Sequence, residues 1–188
     1  SLEGITSKLD ELAALGVTTL YMCPIFESAS NHRYNTADYR TIDPMLGTEE
    51  DFKTLCAEAK ARGMRVILDG VFNHVGRGFW AFRDVREKKW DSPYKDWFHI
   101  SFDGNTEYND GFWYESWEGH NELVKLNLQK PAVAEHQFQA IRAWVEQFGI
   151  DGLRLDVAYC LPPEYIRQLR AFTQSLKPDF VLLGETLH

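Results

Sequence analysis

Cysteine is scarce in this sequence: Cys23, Cys56 and Cys160 are the only three in 188 residues. An odd number at wide spacing excludes a disulfide framework and a clustered zinc site. All three are expected as free thiols, most of them buried like other small apolar side chains. Basic charge is also short, with 20 Lys and Arg against 28 Asp and Glu and a net charge of -8. No run of lysines and arginines forms a stripe, so nucleic acid is not an expected partner. The acidity itself speaks only to solubility. No apolar stretch is long enough to cross a bilayer, so no membrane partner is expected either. No signal peptide is visible, which favours the cytoplasm. The location otherwise stays open, because the chain reads as beginning inside a domain.

What is present is an ordinary globular composition, 44% hydrophobic and 26% charged, with a high aromatic share of 14%. One pattern recurs along it: an amphipathic helix, a stop residue, an apolar strand. The first helix follows Thr6, uses Leu9, Leu12 and Ala13, and stops at Gly16 before the strand Val17 to Cys23. The second starts at Thr48 with Glu49, Glu50 and Asp51 in its first turn, a good N-cap and a charge arrangement that suits the helix dipole. Gly63 ends it, and Met64 to Leu68 follows as a strand. The third runs from Pro131 to Gly149, before Ile150 to Leu155; the fourth runs from Pro162-Pro163 to Pro178, before Phe180 to Leu183. Strands alternating with helices predict an α/β fold with a parallel sheet covered on both faces.

Polar and titratable residues gather just after the strands: Glu27 to Tyr34, Asp69 to His74, Arg154 with Asp156, and Glu185. Chemistry at the C-terminal ends of parallel strands fits a (β/α)₈ barrel and equally an open doubly wound sheet. Residues 75–125 break the rhythm and hold Trp80, Trp90, Trp97, Trp113 and Trp117, five of the six tryptophans. A segment of that length reads as a small inserted subdomain. Its tryptophans suit either a subdomain core or sugar stacking. Asp103, Asn105, Asp110 and Glu115 match no calcium-loop spacing and read as a solvated face.

Arg154 and Asp156 lie two residues apart on one strand, a spacing that points side chains the same way. An adjacent guanidinium keeps a carboxylate ionised, as a nucleophile requires. Glu185 ends the next strand after the apolar run Phe180 to Gly184, a setting that raises a carboxyl pKa. Two such groups suit a retaining glycosidase, which holds its carboxyls about 5–5.5 Å apart. On the residues alone, a structural ion pair and an ordinary surface Glu explain them as well.

Longer strings tip the balance. Asp69-Gly-Val-Phe-Asn-His74, Leu123-Val-Lys-Leu-Asn127, Gly152-Leu-Arg-Leu-Asp-Val-Ala158 and Gly184-Glu185 resemble, in order, signatures of the α-amylase family of glycoside hydrolases. Asn31-His-Arg-Tyr-Asn-Thr-Ala-Asp-Tyr39 with Ile42-Asp-Pro44 resembles the loop after that family's second barrel strand. The segment 75–125 and Leu-Val-Lys-Leu-Asn look nearest the neopullulanase, cyclomaltodextrinase and maltogenic amylase branch.

The resemblance implies a TIM barrel, represented by about strands two to five, in residues 1–74 and 126–188, with 75–125 inserted between the barrel's third strand and third helix. It implies Asp156 as nucleophile, Glu185 as acid/base, and Arg154 holding Asp156 ionised. His74 and Tyr34 would meet the sugar before the cleaved bond; His32 would line the site and Tyr159 the leaving-group side. Asp69 would orient the loop, and Asn73 would brace it or join a calcium site as in some members. No cofactor is required by this reading, although it admits calcium. The implied partner is an α-linked glucan of the starch, maltodextrin, cyclodextrin or pullulan type.

Tyr159-Cys160 replaces a Lys-His found in many relatives, which leaves acceptor-side specificity open, and Asn35 stands where many carry Asp. The family's third catalytic Asp, after its seventh strand, is absent from the sequence, which ends at His188. A partial barrel exposes two strand edges, so self-association and little or no activity in isolation are expected. A catalytically silent carbohydrate-binding protein on the same barrel is the alternative; such relatives typically lack one of the two carboxyls, and Asp156 and Glu185 are both here. A nucleotide-binding sheet would want a Gly-rich turn after its first strand. Pro24-Ile-Phe and Gly70-Val-Phe do not supply one.

Overall fold

The structure, a computed structural model, describes residues 1–184. The helices are α1 (Leu2–Thr6), α2 (Leu9–Ala14), α3 (Glu49–Ala61), α4 (Trp80–Lys88), α5 (Pro131–Ala143) and α6 (Pro163–Leu176). The longer strands are β1 (Thr19–Met22), β2 (Phe26–Ser28), β3 (Thr36–Ile42), β4 (Arg65–Gly70) and β5 (His74–Gly76). The short pairs β6 (Ile100–Ser101), β7 (Trp113–Tyr114) and β8 (Ser116–Trp117) precede β9 (His120–Lys125), β10 (Gly152–Leu155) and β11 (Val181–Gly184).

The expected local signals are in place. Thr48 caps α3 in a capping box: its hydroxyl accepts from the Asp51 amide at 3.1 Å, and the Asp51 carboxylate accepts from the Thr48 amide at 2.9 Å. Gly149 ends the α5 segment in the left-handed region, φ 67°, after a last turn wound as a π-helix over Trp144–Phe148. The first helical segment is two short helices rather than one, α1 coming before the expected helix.

Strands β1, β4, β10 and β11 form one parallel sheet in that order, so each helical crossover adds a neighbour. Leu20, Met22, Val66, Leu68, Leu153 and Leu155 are all buried and join the helices in one core. The opposite face carries Tyr21, Ile67, Asp69 and Arg154, and there Tyr21 is 47% and Leu183 45% exposed. This corrects the expectation of two covered faces: among the described residues the sheet is a partial, open one whose second face is partly exposed.

The segment after β1 is not an irregular loop. β2 and β3 form an antiparallel hairpin. It is pinned from below, where Phe26 stacks on Trp144 with ring centroids 4.6 Å apart and the indole of Trp144 donates to the Tyr39 carbonyl at 3.0 Å. Buried Gln137 of α5 donates to the Tyr39 hydroxyl at 3.2 Å and to the Phe72 carbonyl at 3.0 Å, and accepts from Tyr165 of α6. A buried polar group of this kind costs free energy unless satisfied, and here its bonds tie the hairpin to two helices.

Between β4 and α5 the chain makes α4 and two small antiparallel sheets, β5-β9-β8 and β6-β7. Trp80 and Trp97 pack edge-on with Tyr94, as a core requires. Trp90 and Trp113 are instead 66% and 44% exposed. Asp110, expected on a solvated face, has a side chain only 6% exposed: its carboxylate takes two bonds of 2.9 Å from Arg77, whose guanidinium also stacks on Tyr108. The three thiols are free as expected, but only Cys56 is buried, with Cys23 exposed and Cys160 between. Among the described residues, no helix is long and apolar enough to cross a membrane, and no three His, Cys, Asp or Glu side chains converge as a metal site would need.

Candidate active site

The C-terminal ends of β4 and β10 build the site. Parallel register sets Arg154 beside Asp69, and residues in register on neighbouring strands share a face. Nη1 of Arg154 reaches Asp69 at 3.2 and 3.3 Å and Asp156 at 3.1 Å. The Asp156 amide donates to the Gly70 carbonyl at 3.0 Å, which fixes the chain where β10 ends. Burial works against the Arg154 charge, but the carboxylates around it, Asp69 foremost, outweigh that and raise its pKa.

Asp69 is the hub of this arrangement. Its side chain is fully buried and accepts, besides Arg154, the hydroxyls of Tyr21 and Tyr34, each at 2.8 Å. Both phenols are pushed up in pKa, first by burial and then by that carboxylate, so they stay donors. Tyr34 thereby comes from the loop before β3 to the end of β4. Gly76 permits the approach: a Cβ there would lie 2.4 Å from the Asn35 carbonyl oxygen.

A cavity of about 280 Å³ opens beside Asp156, lined also by His32, Tyr34, His74, Trp117, Leu123 and Val157. Five residues singled out in the sequence therefore converge, with Arg154 and Asp69 directly behind Asp156: His32, Tyr34, His74 and Asp156 line the space, and Asn73 braces it from below. His74 is 2% exposed; burial first, then the Lys125 charge, lowers its pKa to about 4, so it is neutral. Asn73 Nδ2 lies 3.2 Å from His74 Nδ1, and Asn73 Oδ1 accepts from the Lys125 ammonium. Asn73 thus links Lys125 to His74.

Tyr159 does not line the cavity; it is 58% exposed on the turn beyond it. Glu185 lies outside the described residues. Tyr21, Lys125 and Val157 were not picked out from sequence, and Trp117 only as one of five tryptophans open to sugar stacking. Tyr21 carried a usable signal, since in-register alignment of β1 with β4 puts it on the face of Asp69. Lys125 and Trp117 become neighbours of His74 only through the β5-β9-β8 sheet. Val157, with φ 42° and ψ 48°, holds a left-handed conformation that a β-branched residue rarely adopts, immediately after Asp156.

Comparison with known proteins shows the family and the fold. The alpha amylase catalytic-domain family matches residues 1–188. Over its whole length the chain is 45% identical to neopullulanase 2 of Thermoactinomyces vulgaris and 43% to a cyclomaltodextrinase of Geobacillus thermopakistaniensis, covering 32% of each. It thus spans about a third of the length of these curated relatives. Among solved structures, the cyclic α-maltosyl-(1→6)-maltose hydrolase of Arthrobacter globiformis in ligand-free form superposes with a TM-score of 0.93 at 40% identity, over 100% of this chain and 42% of that one.

Proposed function

This chain belongs to the α-amylase family, in its catalytic domain, and on that premise we propose that it carries the nucleophilic half of a retaining glycosidase acting on α-linked glucans. The observation that carries the reading is the Asp156 carboxylate at the wall of a cavity, held by an Arg154 that is itself anchored on buried Asp69. Asp156 attacks the anomeric carbon of a bound glucose unit while Glu185 protonates the departing glycosidic oxygen. A β-glycosyl ester on Asp156 results. Glu185 then deprotonates a water or an acceptor hydroxyl, which displaces the ester and restores the α configuration. The apolar wall of Trp117 and Leu123 suits a sugar face, and neutral His74 and Tyr34 offer polar contacts to its edge.

The names of relatives support the substrate class: cyclomaltodextrinase, neopullulanase and intracellular maltogenic amylase. A maltodextrin, cyclodextrin or pullulan is therefore the partner we propose, and the cytoplasm the setting. The exposed Tyr21 and Leu183 on the open sheet face lead us to expect feeble activity and some self-association from residues 1–188 alone. Incubation with an activated 5-fluoro-α-glucosyl fluoride tests the mechanism. A glycosyl mass increment on the peptide containing Asp156, absent in Asp156→Asn, supports it in either a complete enzyme or this chain. Release of β-configured product from an α-glucan by the complete enzyme would overturn it.

A further inference from the structure

Lys125 and the buried Asn73 and His74 form a row whose hydrogen bonds have only one consistent direction. His74 of β5 stands opposite Lys125 of β9 in the antiparallel register. Asn73 is 1% and His74 2% exposed, which shields the row from water. An ammonium has three donors and no acceptor. The Asn73 atom that meets Lys125 is therefore the carbonyl oxygen. This sets the amide, and the arm 3.2 Å from His74 Nδ1 is the NH₂, which can only donate. Nδ1 must then present its lone pair, and a neutral imidazole so arranged carries its single proton on Nε2.

Nε2 is buried and makes no hydrogen bond of standard geometry among the described residues, and the same holds for the indole Nε1 of Trp117. Those two rings lie side by side, centroids 6.2 Å apart, and both line the cavity. Two N–H donors cannot satisfy one another, and the Tyr34 backbone offers the His74 ring a hydrogen bond that favours a proton on it. We propose that Lys125 is a positioning residue which, through Asn73, locks His74 in the Nε2–H tautomer and so fixes which edge of this ring, beside the cavity, carries the proton. The tautomer does not rest on the glycosidase reading above, because it is set in the free protein.

The test is nitrogen NMR of the ¹⁵N-histidine-labelled protein at neutral pH, without ligand. His74 should show Nδ1 as the unprotonated, pyridine-type nitrogen and Nε2 as the protonated type. Asn73→Asp replaces the donor arm with an acceptor and should bring a proton onto Nδ1. Lys125→Met should let the amide rotate and populate both tautomers, whereas Lys125→Arg, again donor-only, should restore the single one. Signals of the remaining histidines report that each variant is folded. A wild-type proton on Nδ1, or a Lys125→Met spectrum identical to wild type in a folded protein, overturns the relay.

Discussion

Tyr21 and Tyr34 place their hydroxyls on the same Asp69 oxygen, each at 2.8 Å, although one comes from a barrel strand and the other from the loop before the β2–β3 hairpin's second strand. With Arg154 they make a buried carboxylate fully served by three donors. Asp69→Asn should therefore cost about 3–5 kcal/mol, since it leaves the guanidinium and two phenols short of an acceptor. Tyr21→Phe removes one of several bonds and should cost only about 1 kcal/mol. Urea denaturation of both variants checks the ratio; equal losses would mean that Asp69 is not the hub.

His74 makes the protein acid-sensitive in a defined window. Its folded pKa of about 4 lies below the ordinary 6.5, chiefly through burial. Between these values the unfolded chain binds a proton that the folded chain refuses, so stability falls as pH drops through that window and is unaffected above it. The full loss is on the order of 3 kcal/mol. The difference in denaturation midpoint between wild type and His74→Phe should shrink steadily from pH about 7 to about 4; a constant difference would show that folding leaves the pKa of His74 unshifted.

Arg77 and Asp110 hold the inserted segment together. Their side chains are 13% and 6% exposed and joined bidentately. Replacing only one of them strands a buried charge, so Asp110→Asn should destabilise by about 3 kcal/mol or more. The damage should concentrate near 77–114, where hydrogen exchange would reveal it, and should largely spare the amides of β4 and β10.

At Gly76 a methyl group would strike the Asn35 backbone. Gly76→Ala should displace the loop that carries Tyr34 and cost about 1–3 kcal/mol. Faster proteolytic nicking around residues 30–36 would report the displacement. Unchanged nicking and stability would mean that the loop is positioned by other contacts.

The thiols should react in order of exposure. Cys23 is exposed, while burial pushes the buried Cys56 up to about 12. An aromatic disulfide reagent should modify Cys23 within seconds to minutes and Cys56 only on unfolding; the course of release with and without denaturant checks this.

The alternation of helix and strand was legible locally. A helix period, a Thr48 cap, a Gly63 or Gly149 stop and an apolar run each declare themselves within a few residues, and from them follow the parallel sheet and the placing of Asp69, Arg154 and Asp156 at strand ends. The motif strings then pointed to the family. Contacts between distant segments left no such local mark. The hairpin of β2 and β3 depends on Trp144 and Gln137 lying beneath it, and the burial of Asp110 depends on Arg77. The direction of the Lys125–Asn73–His74 row depends on two strands meeting in register. Sequence alone determined which residues can form elements and which bear chemistry, because backbone preference and side-chain period act over a turn or a pleat. Tertiary structure alone decided which charges are buried, which donors find acceptors and which rings face the cavity, because those energies arise only when distant segments exclude water together.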